Sequence, residues 1–209
     1  MTAISIDEVR DIFGASPEFA ERLRALATEH FAPPVERRRG FIAGLFRRDP
    51  IVETRPDRPT MTDLENLLAG RYVAPERTTA SWVLLDGWLQ RLGWGQLELP
   101  LFPAELNDLE FDLARSGLSS QFAIRKLLAG EAQLPLRAPA GVRVGYAKFA
   151  HVVATRDALH EVLPRLTEAN RERLGQLIAF LDGFDSWEQV AANSGRPRPD
   201  LLGQWAETP

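Results

Sequence analysis

The residues whose types and spacing suit chemistry gather in one short stretch: His151, Asp157, His160 and Glu161. Asp157 stands three positions before His160 and four before Glu161, spacings that put side chains on one face of a helix. An imidazole oriented by a carboxylate is a general-base arrangement, and the same nitrogen and oxygen donors suit a divalent metal. Charged residues on the outer face of an amphipathic helix give the same pattern without any chemistry. Hydrolase-like or metal-assisted catalysis through His151, Asp157 and His160 is therefore the alternative reading, and no metal is assigned. The remaining histidine, His30, follows Glu29 at the end of an expected helix, where it complements the negative end of the helix dipole.

A second candidate is built of arginine and phenylalanine. Arg37, Arg38, Arg39, Arg47 and Arg48 flank Phe41, Ile42, Leu45 and Phe46, a composition that suits an anionic surface, a nucleic-acid backbone or an acidic protein. The partner-binding candidates are Arg37, Arg38, Arg39, Phe41, Phe46, Arg47 and Arg48. On a helical wheel Arg38 falls between Phe41 and Leu45, so charge does not separate from apolar surface, and a flap or connection over 33–60 is expected. Residues 33–60 hold seven arginines against four acids, a local balance of +3, whereas 98–112 hold five acids and no base. These segments can attract one another, the arginine stems lying along apolar surface. The whole chain carries −4 with a pI near 5.5, which opposes a phosphate backbone and places nucleic-acid binding through 37–48 behind protein binding.

Elimination narrows the rest. The chain has no cysteine, which removes disulfides, thiolate nucleophiles and cysteine-held metals. It has no Gly-x-x-x-x-Gly-Lys loop, no Gly-x-Gly-x-x-Gly, no His-Glu-x-x-His and no Gly-x-Ser-x-Gly, so no nucleotide or other cofactor is implied. No basic-then-apolar leader and no run of about 18 apolar residues occurs, and a cytoplasmic protein is expected. At 209 residues and 44% hydrophobic content, one domain over 1–209 is expected, with the Pro/Arg-rich segment 33–60 as an excursion.

The elements that must position these residues are mostly helical. Ser5 to Glu8 has the capping-box pattern, with Gly14 as a stop, and Ser16-Pro17 opens a second helix carrying Phe19, Leu23 and Leu26. Thr62 to Glu65 reads as another capping box. Thr79 to Leu92 is the most apolar helix, in which Trp82 and Trp88 read as core; helices are also expected over 104–115 and 119–129. Alternation of Val142, Val144 and Tyr146 with Arg143 and Gly145 predicts a strand at 142–146, and a last strand is expected near 200–205. Thr155 is expected to cap a helix through Leu163. A further helix is expected from Thr167 to a stop at Gly183, and Ser186 to Gln189 to open one more. Fold class follows as mainly α, α+β with a minor sheet element.

The succession Leu89-Gln90-Arg91-Leu92-Gly93, Leu127-Leu128-Ala129-Gly130, Leu134-Pro135-Leu136, Val144-Gly145-Tyr146 and Trp187…Gly195…Leu201-Leu202 resembles an uncharacterised family of small soluble bacterial proteins, over about residues 70–205. The ending Gln204-Trp205-Ala206 departs from that family's pattern, as does the arginine-bearing segment. The resemblance implies a compact helical protein with a small sheet and brings no active-site residues. The leading functional expectation is a non-enzymatic interaction protein, regulating or neutralising another bacterial protein.

Overall fold

The structure, a computed structural model, describes residues 1–28 and 57–206. The described elements, in chain order, are β1 (Thr2–Ile4), α1 (Ile6–Asp11), α2 (Pro17–Ala27), α3 (Met61–Leu68), α4 (Thr78–Leu92), β2 (Gly95–Gln96), α5 (Pro103–Arg115), α6 (Ile124–Leu127), β3 (Gly130–Glu131), β4 (Val142–Ala147), α7 (Phe149–Val162), α8 (Glu168–Asn193) and β5 (Asp200–Ala206). The class is mainly α with a small antiparallel sheet, as expected. The expected strands are β4 and β5, which pair from Val142 with Ala206 to Ala147 with Leu201. Three further strands complete a five-stranded sheet in the order β2-β1-β5-β4-β3. β1, β2 and β3 are two or three residues long, too short for period-2 alternation to be read.

The chain forms two compact units, one of Met1–Asp11 with Leu89–Pro209 and one of Ile12–Trp88. The core of the first joins Ala3, Ala147 and Leu201 of the sheet to Leu109 and Leu113 of α5, Leu159 of α7, and Leu174, Leu177, Leu181 and Phe184 of α8. Each such leucine contributes about 2 kcal/mol through burial. Gly145 and Gly203 face each other across β4 and β5. A Cβ on Gly145 would strike the carbonyl oxygen of Leu128, and one on Gly203 the Leu128 side chain. Two bare Cα atoms thus make the trough in which the end of α6 lies.

In the second unit Ser16 accepts from Phe19 N at 3.3 Å and Pro17 occupies the first turn of α2, as expected. Arg24 of α2 grips Glu65 of α3 through two bonds of 2.7 and 2.8 Å, the fork geometry that favours Arg–carboxylate pairs. Trp88 is fully buried, and its indole N–H donates to Leu23 O at 3.0 Å. Gly14 and Gly70 adopt positive φ of 89° and 62°, and Gly14 N and Ala15 N both donate to Leu68 O.

Several expected boundaries are corrected. α8 does not stop at Gly183 but runs through it, and Ser186 Oγ donates to Gly183 O at 2.8 Å instead of capping a new helix. The glycine serves packing: the Trp187 indole sits against Phe180 and Phe184, where a Cβ on Gly183 or Gly95 would collide with it. α7 begins at Phe149, leaving Thr155 buried in mid-helix. α3 is capped by Thr60 with Asp63, not Thr62 with Glu65, because Arg77 anchors Asp63 through Nε at 3.0 Å. The expected helix over 119–129 is a 3-10 turn, Ser120–Phe122, followed by α6.

The glycines yield a paired prediction. Gly145→Ala should cost about 3 kcal/mol, since the obstructing atom is backbone and cannot swing away. Gly175→Ala, in α8 with nothing near its Cβ position, should stabilise by about 0.5–1 kcal/mol. Urea denaturation of both variants checks this, and equal effects would contradict the trough.

Candidate functional site

α7, which carries the candidate acid–base residues, owes its starting point to a carboxylate on another element. Its N-cap residue, Lys148, makes no side-chain cap. Asp200, at the start of β5 and buried, supplies one instead. Its Oδ1 accepts from Phe149 N at 3.1 Å, and its Oδ2 from Lys148 Nζ at 3.0 Å and from Ile6 N, the first residue of α1, at 3.2 Å. One carboxylate therefore serves the positive ends of two helices. Burial disfavours the charged Lys148 ammonium, yet its hydrogen bond to Asp200 and the charges of Asp200 and Asp7 raise its pKa above the ordinary lysine value.

Along α7 the four sequence candidates take different surroundings. His151, in the first turn, stacks on Phe122 with ring centroids 6.2 Å apart. His160 lies nine residues further on, about 13 Å along the axis and half a turn around it, so the two imidazoles face different ways. Asp157 is exposed and accepts from Arg156 Nε at 2.9 Å. His160 Nε2 meets Asp182 Oδ1 of α8 at 2.8 Å, both side chains about half exposed. Glu161 is exposed. The carboxylate that orients His160 is thus Asp182, and the structure does not bring His151, Asp157 and His160 together.

Arg156 organises this face. Its side chain is 12% exposed and reaches Asp185 Oδ2 at 2.6 Å, Asp157 at 2.9 Å and Asp182 at 3.9 Å. Burial works against its charge, but the hydrogen bonds to Asp185 and Asp157 raise its pKa above the usual arginine value. Arg156, Asp182 and Asp185 escaped the sequence reading for one reason. A helix stopped at Gly183 leaves Asp182 at its end and Asp185 outside it, whereas the continuous α8 sets them three apart on one face. Among the described residues no group of His, Asp or Glu is arranged to hold a metal ion.

The arginine segment candidates Arg37, Arg38, Arg39, Phe41, Phe46, Arg47 and Arg48, and His30 with them, lie outside the described residues. The acidic stretch 98–112 lies within them, and much of its charge is already matched locally. Glu105 binds Arg173 at 2.9 Å, Glu110 binds Arg125, and Asp112 binds Arg115 at 2.9 Å. Asp112 also fixes α8: its Oδ2 accepts from Thr167 N, Thr167 Oγ1 and Asn170 Nδ2 at 2.9–3.0 Å. Trp82 and Trp88 are buried, consistent with core packing. Trp94 lies beneath the Arg196 guanidinium, 4.2 Å from its ring centroid.

Compared with known proteins, the chain matches the family profile of a domain of unknown function, DUF7691, over residues 1–205, and it belongs to that family. The match begins at the N-terminus, well before the stretch that carries the sequence resemblance. No curated protein and no solved structure gives a significant match. No helix among the described residues is long and apolar enough to cross a membrane.

Asp112 yields a pH prediction. The Asn170 amide, then the Thr167 N–H, hold its carboxyl well below the usual carboxylate range although burial pushes the other way. A depressed folded value contributes stability that is complete above the unfolded pKa of about 3.9 and is lost as pH falls toward the folded value. Asp112→Asn should lower the melting temperature near neutral pH, and its deficit should shrink below about pH 4. Melts followed by circular dichroism test this, and a deficit independent of pH would contradict it.

Proposed function

We propose that this protein is a non-enzymatic interaction protein, a regulator or neutraliser of another protein in a bacterial cytoplasm. The observation that carries the reading is the exposure of two aromatic rings, Phe102 at the N-cap of α5 and Phe111 in its third turn, 72% and 71% exposed. They stand in the acidic stretch, where Glu98 and Asp108 also reach solvent. Leu109 and Leu113 of the same helix are core residues, so α5 is anchored on one side while it offers aromatic rings elsewhere. Exposed aromatics on a rigid element are the side chains that dominate interface energetics once a partner desolvates them. The surrounding carboxylates favour a partner whose contact surface is basic.

The acid–base alternative finds less support, because His151, Asp157 and His160 are each engaged by a different neighbour, Phe122, Arg156 and Asp182. The arginine segment 37–48, the partner-binding candidate of the sequence, is of opposite charge to α5.

Affinity capture from the native host tests the reading with three baits: the intact chain, Phe102→Ser with Phe111→Ser, and a chain with Arg37, Arg38, Arg39, Arg47 and Arg48 changed to Ala. A partner retained by the intact chain should bind at least one variant about tenfold more weakly, the loss expected for one or two interface anchors. Circular dichroism should show both variants folded. Identical capture by all three would count against the proposal.

A further inference from the structure

We draw no further inference here: the strongest candidate, the cavity of about 300 Å³ lined by α3, the chain that follows it and the start of α4, carries nothing, because the Asp63 and Arg77 charges in its wall are already paired with each other and no group in its lining selects a class of occupant.

Discussion

A carboxylate buried at the start of β5 has to be surrounded by donors, because removing it from water is costly unless its oxygens are re-satisfied. Asp200 meets that requirement with Ile6 N, Phe149 N and Lys148 Nζ, and in doing so it ties α1 and α7 to the sheet. β5 is the central strand, pairing with β1 on one side and β4 on the other. The same residue therefore stands where the two ladders and two helix ends meet. α7 starts at Phe149 because its first N–H has a partner there. The placement of every candidate acid–base residue along α7 follows from that start.

The device recurs. Asp112 of α5 receives Thr167 N at the start of α8, and Asp63 exchanges bonds with Thr60 at the start of α3. In each case an acidic side chain answers the orphan N–H groups and the positive end of a helix. With α7 seated by Asp200 and α8 by Asp112, the two long helices of the first unit present Arg156 to Asp185 and His160 to Asp182. The resulting face is a surface network of matched charges, the kind of arrangement that sets helix register more than it drives chemistry.

Membership of a family whose activity is undefined leaves function to be argued from surfaces. Among the described residues the fold leaves several large apolar side chains exposed and leaves Ser81 Oγ, Trp94 Nε1 and Thr155 Oγ1 buried without hydrogen-bond partners. The phenylalanines of α5 are exposed although the helix that bears them is anchored in the core. Exposed aromatics on an anchored helix are a departure from what folding alone favours, and they carry the partner-binding proposal.

Local features legible in the sequence were those whose cause is local. Apolar periodicity marked α2 and α4; alternation marked β4, and an apolar tail marked β5; the absence of cysteine and of phosphate-binding loops narrowed the chemistry. What the sequence could not settle was decided by residues distant in the chain. Gly183 is a stop in isolation, but Trp187 and Gly95 turn it into a packing site, so α8 continues and brings Asp182 to His160. Thr155 has the side chain of a cap, but Asp200, 45 positions away in the chain, starts the helix seven residues earlier, with Lys148 at the cap position. Thr62 and Glu65 match a capping box, yet Arg77 recruits Asp63 and moves the cap to Thr60. A cap or a stop is only an offer of hydrogen bonds or of space, and tertiary structure decides which offer is accepted, because a buried donor, acceptor or ring must be matched by whatever the fold places beside it.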